Sequence, residues 1–433
     1  MPLALFYFSL GIEPLGFDPW PFCLIRLHKK LFARDNKTME YINGKPYFFA
    51  NDEKTRPYLY LNHDINCDVL IIGGGINGCI LNYYLSQKYD TVLVEKARLG
   101  AICTSCATSL LEYQLDDFAS ELECYLSPED IIKCYNFGLK SLQKLDTFIK
   151  LHGNHCFYKA KPTIIYSNKN KDKKEIEKEY NFRKENGFEC QLINETTNPL
   201  PFKIKCGLIC ENGGAEVDPY LFSKEMIENS QNQDKIFENT EIIEIEKFNE
   251  GYVCTTKFFE KIFCKNVIIA TGFDFKFIEN NLVERFISYS IVTNPLPEID
   301  LKNMLIQDCL SPYHYLRKLP DDRLIYGGED TKIKDEIDTK NTEKVYQRLL
   351  KNLQKMFPKF KNKIKIDYKF CGAFGSTKNN MGLIGKDEKG IINFISCGAN
   401  GIINAFMGVK IVEDILENKE NEYTKIFSPL RKN

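Results

Sequence analysis

Three glycines at fixed spacing, Gly73, Gly75 and Gly78, sit inside the run DVLIIGGGINGCILNYYL from Asp68 to Leu85. Residue types in that order handle phosphate. Gly73 permits a tight turn, Gly75 lets the backbone approach a pyrophosphate, and Gly78 lets a helix pack on the preceding strand. Gly74, Ile76 and Asn77 complete the loop. The helix that follows points bare N–H groups and the positive end of its dipole at the phosphates. A second apolar run, Thr91 to Val94, ends in Glu95 and Lys96, with Glu95 22 residues past Gly73. A carboxylate there accepts both hydroxyls of an adenosine ribose and repels a 2′-phosphate, so the pattern points to FAD or NAD and away from NADP.

The elements around these residues must hold them at one sheet edge. Val69 to Ile72 is a buried parallel strand by composition. Ile76, Ile80, Leu81, Tyr84 and Leu85 share one helical face that needs a sheet to cover. Far along the chain, Asn266 to Ile269 is predicted as another buried parallel strand, ending in Ala270-Thr271-Gly272. Small residues at that end let a dinucleotide pass. Ile391 to Ser396 is predicted as a further strand, followed by the turn Cys397-Gly398-Ala399-Asn400-Gly401 and a helix from Ile402 to Glu417. This second glycine-rich helix start suits a long ligand charged at both ends. The ring of FAD gains negative charge on reduction, and a helix N-terminus stabilises it.

Between these pieces, Ala101 to Asp116 reads as a polar loop. Ser127-Pro128-Glu129-Asp130 caps a helix carrying Ile131, Ile132, Tyr135, Leu139, Leu142 and Leu145 on its core face. Phe157 to Tyr166 reads as a strand, Lys173 to Asn186 as a charged, solvated helix, and Asp218-Pro219 as the start of a helix to about Ser230. Thr240 to Ile245, Gly251 to Thr256 and Ile262 to Cys264 read as strands. From Phe286 to Gly328 the period becomes two: Ser288 to Thr293 is a strand, and Tyr313 to Lys318 and Arg323 to Tyr326 form a hairpin. Thr342 to Met356 is a helix closed by Pro358. Alternation places Tyr313, Tyr315 and Arg317 on one face of the hairpin strand, with His314 and Leu316 on the other. If the first face looks at the cofactor, Tyr315 and Arg317 bind substrate; if it faces solvent, His314 takes that place. Cross-strand packing is the alternative with no chemistry in it.

Composition bounds the rest. With 58 basic and 59 acidic residues the net charge is −1, which argues against nucleic-acid or membrane-surface partners. The sixteen cysteines are scattered, as reduced residues of a cytoplasmic protein would be. Cys103-Thr104-Ser105-Cys106 is a CxxC without a second ligand pair, so neither zinc nor thiol-redox chemistry is expected of it. Residues 1–38 hold no Asn before Asn36, contain the only Trp and interrupt their apolar runs with Pro, Glu and Asp. They read as a non-native or disordered extension with no membrane span.

These stretches together resemble the FAD-dependent oxidoreductases of the D-amino-acid oxidase, glycine oxidase and sarcosine oxidase superfamily, and most closely a bacterial branch of unassigned substrate. The resemblance runs from about Asp68 to Leu416. It rests on DVLIIGGGINGCILNYYL, VLVEKARLGAICTSCATS, AEVDPYLF, NVIIATG, YHYLRKLPDDRLIYGGED and ISCGANGIINAFMG. It implies an α/β fold: a discontinuous Rossmann-like FAD-binding domain (67–122, 206–275 and 368–418) and an α+β substrate domain on an antiparallel sheet (123–205 and 276–367). An arm at 39–66 and a tail at 419–433 flank them. It also implies that Gly73, Gly75, Ile76 and Gly78 hold the pyrophosphate and Glu95 the ribose. Thr104 and Ser105 would line the passage to the flavin, and Ile242 would touch adenine. Ala270 and Gly272 would flank the dinucleotide, with Gly398, Asn400, Gly401 and Ile402 under the ring. The activity implied is hydride transfer from the carbon beside an amine to FAD, from a small amine or amino acid, with oxygen, a quinone or a protein as electron acceptor. One departure matters. Where the glycine-oxidase branch carries an arginine that clamps the substrate carboxylate, this chain has Phe374, and an aromatic ring cannot pair with a carboxylate in that way. Covalent flavin attachment near Cys371 is not expected, because the spacing to Thr377 is off by about one residue. An alcohol or glycerol-phosphate dehydrogenase and a non-catalytic flavin-binding protein are the competing readings.

Overall fold

The computed structural model describes residues 42–50, 57–272, 282–333, 339–398 and 400–431. The expected extension at 1–38 and Ala399 of the second glycine turn lie outside these. In chain order the strands are β1 (Ile42–Gly44), β2 (Ile65–Ile72), β3 (Thr91–Val94), β4 (Leu110–Glu112), β5 (Lys159–Ser167), β6 (Gln191–Asn194), β7 (Cys206–Glu216), β8 (Ile236–Phe237) and β9 (Ile242–Phe248). Then come β10 (Gly251–Thr256), β11 (Lys261–Ile269), β12 (Glu284–Thr293), β13 (Leu305–Asp308), β14 (His314–Lys318), β15 (Leu324–Ile333), β16 (Ile366–Ser376), β17 (Leu383–Lys386) and β18 (Ile392–Ile395). The longer helices are α1 (Ile76–Leu85), α2 (Pro128–His152), α3 (Lys173–Glu185), α4 (Pro219–Glu228), α5 (Thr339–Met356) and α6 (Gly401–Leu416).

The first sheet is parallel at its centre. β2 lies between β11 and β3, with Ile72 level with Ile269 on one side and Val94 on the other. β18 and β8 extend it in parallel, and β17 adds an antiparallel edge. Alternation explains why β2 is apolar from Val69 to Ile72. Val69 and Ile71 pack under α1, α4 and α6, while Leu70 and Ile72 pack under the β9–β10 ribbon. Each such fully buried side chain contributes roughly 1.5–3 kcal/mol. The helices start where capping chemistry sets them. Ser127 Oγ accepts from Asp130 N at 3.2 Å at the head of α2, and Asp218 Oδ1 accepts from Leu221 N at 2.9 Å at the head of α4.

The second sheet has ten strands in the order β1-β16-β12-β15-β14-β13-β5-β7-β4, with β6 beside β7. Ile287, Tyr289 and Ile291 of β12 pack under Val345, Leu349 and Leu353 of α5. Phe286 and Ser288, on the opposite face, are left to line the site.

Several expected boundaries move. The strands expected at 262–264 and 266–269 are one strand, β11. The expected loop 101–116 contains a short 3-10 helix, Cys103–Cys106, and β4. The α3 helix is not solvated all round: Arg183 and Glu179 are buried one turn apart and paired at 2.7 Å, with Tyr135 OH donating to Glu179 at 3.0 Å. Sheet membership also crosses the expected domain borders. β4, β7 and β16, expected in segments 67–122, 206–275 and 368–418, are strands of the ten-stranded sheet. In β16 the glycines hide the strand pattern; Gly372 is required there because a Cβ would meet Cys106 Cβ at 2.7 Å. The α2 helix, expected with the second domain, shares the core of α1 and α6.

Candidate active site

The carboxyl ends of β2, β3, β11 and β18 open on one cavity of about 820 Å3, whose other wall is the inner face of the ten-stranded sheet. A crevice outside the carboxyl ends of parallel strands is where such folds bind ligands.

The first glycine loop is shaped by backbone contact. Gly73 has φ +112, and a Cβ there would lie 2.6 Å from the Ala270 carbonyl oxygen; one on Gly78 would lie 1.8 Å from that of Gly73. Gly75 is different: a Cβ would meet only Thr104 Oγ1, at 3.4 Å, so its surroundings are open. Gly73, Gly75, Ile76 and Asn77 line the cavity. Gly74 and Gly78, expected among the cofactor-binding residues, do not; Gly78 packs helix against strand, and Gly74 N donates to Glu95 Oε2 at 2.7 Å. Ala97 N donates to Glu95 Oε1 at 2.8 Å. Burial pushes the Glu95 carboxyl up, and the two N–H donors pull it back. Glu95, Lys96 and Ile242 line one end of the site, and Ala270 and Gly272 its middle.

Thr104 Oγ1 accepts from Ile76 N at 2.9 Å and lines the cavity. Ser105 does not line it: its hydroxyl turns back to Ala101 O and Ile102 O, at 3.0 and 2.7 Å, closing the 3-10 turn. Burial raises the Cys103 thiol to about 12, and that of Cys106 further, so neither is a ready thiolate. No His, Cys, Asp and Glu cluster suited to a metal occurs among the described residues. Cys371 is buried and does not line the cavity.

The second glycine turn faces the same space. Gly398, Asn400, Gly401 and Ile402 line the cavity. Ser396 Oγ donates to Asn77 Oδ1 at 2.7 Å, tying the end of β18 to the first turn of α1. Asn400 Nδ2 donates to Gln114 O at 3.1 Å and also to Glu112 O.

The substrate-side wall is aromatic. Phe374 and Phe286 are cross-strand partners with ring centroids 5.8 Å apart and planes at 28°. Tyr315 OH lies 3.0 Å from Ser288 Oγ and 3.1 Å from Ser290 Oγ. Its ring occupies the space over Gly327, where a Cβ would meet the Tyr315 hydroxyl at 2.4 Å. Burial pushes Tyr315 up to about 12. Tyr313 OH donates to Asp330 Oδ2 at 2.8 Å, and burial raises the Asp330 carboxyl. Asp330 lies in the stretch YHYLRKLPDDRLIYGGED, yet its role was not visible there. Phe286 had no signal at all, since its pairing with Phe374 joins distant segments.

Two expected pocket residues are elsewhere. Arg317 is 1% exposed and fully engaged. It donates to Glu216 Oε2 at 2.8 Å, Thr108 O at 2.7 Å and Val217 O at 3.1 Å. Alternation places it on the Tyr315 face, but the strand carries it past the cavity into the junction with β7. It therefore does not replace the missing clamp. His314 does not line the cavity either. It stacks on Tyr326 and sits 3.0 Å from Asp308 Oδ2 and 3.6 Å from Glu329 Oε1.

A cavity of this size lined by both glycine helix starts, with open space beside Gly75 and Gly272, has room for an adenine dinucleotide with a flavin ring. The family profile of FAD-dependent oxidoreductases, the D-amino-acid oxidase type, matches residues 68–415. The chain belongs to this family. Among curated relatives of this FAD-dependent oxidoreductase is γ-glutamylputrescine oxidoreductase of Escherichia coli strain K12, 22% identical over 402 residues, covering 87% of this chain and 90% of the relative. Glycine oxidase from Geobacillus kaustophilus shares the fold, with a TM-score of 0.72 at 17% identity over 86% of this chain and 100% of that one. So does L-α-glycerophosphate oxidase from Mycoplasma pneumoniae with FAD bound, with a TM-score of 0.66 at 19% identity over 81% and 95%. The cofactor of the family is FAD. No helix among the described residues is long and apolar enough to cross a membrane.

Proposed function

We propose that this oxidoreductase oxidises the C–N bond of a small amine that carries no carboxylate to be clamped. One observation carries the reading. The substrate wall holds Phe374 where a carboxylate clamp would sit, and Arg317 is committed to Glu216 and two carbonyls. Lys96 and Arg98 are the basic residues of the lining, and both follow Glu95 at the expected ribose end. Among the described lining residues, a phosphate-bearing alcohol meets no cation away from that end either. The Escherichia coli relative is named for γ-glutamylputrescine, a nitrogen compound, which supports the C–N part of this reading and not the lack of a carboxylate.

The residues expected to hold FAD are Gly73, Gly75, Ile76 and Asn77 at the pyrophosphate, Glu95 and Lys96 at the ribose, and Ile242 at adenine. Thr104, Ala270 and Gly272 lie along the dinucleotide, and Gly398, Asn400, Gly401 and Ile402 beneath the ring. Bound FAD supplies the acceptor for a hydride. The carbon beside nitrogen gives up hydrogen with its electron pair, the nitrogen lone pair forms C=N, and water later splits the iminium into carbonyl and amine. The wall has two tasks. Phe286, Phe374, Tyr313 and Tyr315 exclude water and face an ammonium with ring quadrupoles. The Asp330 carboxylate, steadied by Tyr313 OH, receives the incoming ammonium and takes up its proton, leaving the neutral amine that donates hydride. Burial already raises Asp330, which favours that transfer.

Anaerobic mixing with an amine and amino-acid panel, while following loss of flavin colour, tests this. Simple amines should bleach the flavin and glycine should not. Asp330→Asn should slow bleaching by about 10²-fold, the worth of a positioned proton acceptor, with FAD retained. Equal bleaching by glycine and amines would refute the reading.

A further inference from the structure

The charge of the cavity wall goes further than the lack of a clamp. Away from the ribose end, the charged side chains among the described lining residues are all carboxylates, without Lys or Arg. Most of these acids are committed. Asp308 accepts from His314 N, Asp117 from Asn380 Nδ2, and Asp172 from Ser167 Oγ. Two keep an unpartnered oxygen, and Glu112 is the more buried of them. It is 4% exposed, lines the cavity, and its Oε1 has no hydrogen-bond partner; Gln114 Nε2 serves only Oε2. Asp330 repeats the pattern, with Oδ2 held by Tyr313 and Oδ1 unpartnered.

These two acids belong to one wall. Leu110 and Glu112 are two residues apart on β4 and share a face, and Leu110 packs with Tyr313 and Tyr315. Asp116 lies within electrostatic reach of both Glu112 and Tyr313 and raises each. Glu112 on β4 and Asp330 on β15 therefore stand on different strands of one sheet, and both line the cavity. A buried carboxylate oxygen without a partner costs several kcal/mol when charged. A substrate cation removes that cost, and a cleft lined by one sign of charge concentrates the opposite sign.

Resting on the amine reading above, we propose that the substrate is a di- or polyamine. Its reacting nitrogen lies against Asp330 and the aromatic wall, and a second ammonium pairs with the unsatisfied oxygen of Glu112. Glu112 is thus a specificity-determining residue. Only the nitrogen at the wall is oxidised; the second stays protonated and takes no part in the electron transfer. Two carboxylates separated along one wall read chain length as well as charge. A single amine leaves Glu112 unpaired, and an amino alcohol of the same length offers it a neutral hydroxyl.

The test uses holoenzyme and three series of matched chain length: alkylamines, amino alcohols and diaminoalkanes, each scored by KM for anaerobic flavin reduction. Diaminoalkanes of one preferred length should have KM about ten- to a hundredfold below the matching amino alcohol, the worth of one charge-assisted hydrogen bond. In Glu112→Gln, with the flavin spectrum retained, that preference should collapse. Amines that reduce the flavin with no preference for the diamine would overturn the assignment of Glu112 and leave the amine reading intact. A Glu112→Gln protein that cannot hold FAD would also overturn it, by making Glu112 a cofactor ligand. Reduction by no amine at all would bring down the amine reading and this inference together.

Discussion

At the scale of single residues, the site separates groups that touch ligand from groups that hold the wall. Gly75 lines the cavity with open space around it, so Gly75→Val should abolish FAD binding by filling the approach of the pyrophosphate. A variant that purifies with full flavin absorbance would contradict this. Arg317 belongs to the second group. Arg317→Ala should cost roughly 3–5 kcal/mol in denaturant unfolding, because Glu216 is left buried with a partner missing. The KM for amines should change little in whatever folded protein remains. Glu112 gives a pH signature. Burial raises it from 4.5 to about 8, so the folded chain binds its proton more tightly than the unfolded one. Its contribution to stability is full below pH 4.5 and is lost as pH rises through about 8. Flavin-free Glu112→Gln should therefore lose less stability than the parent across that window, read by urea midpoints at each pH.

At the scale of elements, the sequence was most legible where one periodicity ran without interruption. The Val69–Ile72 strand, its glycine turn and α1 could be read because both sheet faces demand apolar residues and the turn demands glycine. The same holds for the 266–269 end of β11 and for β18 with α6. Legibility failed where tertiary contact overrode local pattern. The glycines of β16 weaken a strand signal, and they are there because Cys106 packs against Gly372. The α3 helix looks solvated by composition, yet Arg183 and Glu179 turn inward as a pair. Alternation identified the face of β14 that carries Tyr315 but not where along it the cavity ends, which is why Arg317 was misplaced. One contact joins two elements directly: the Ser396–Asn77 hydrogen bond between the two glycine loops. Asn77→Ala should weaken FAD binding by about 1 kcal/mol, roughly a fivefold rise in Kd by fluorescence titration. An unchanged Kd would show that the loops are positioned independently.

At the scale of the whole molecule, the carboxyl ends of the parallel sheet form one side of the cavity and the ten-stranded sheet forms the other, the wall proposed to select substrate. The first side was readable because dinucleotide binding needs glycine and acid at fixed spacing. The second was readable only at Phe374 and Tyr315, because Phe286, Asp330 and Glu112 come from three further strands that only the fold brings beside them. The account stands on oxidation of a C–N bond at that wall, and product analysis of a single anaerobic turnover tests it most directly. One equivalent of flavin bleached should yield one equivalent of carbonyl and one of released ammonia or amine. Bleaching without those products, or bleaching by an alcohol while every amine leaves the flavin oxidised, would contradict it.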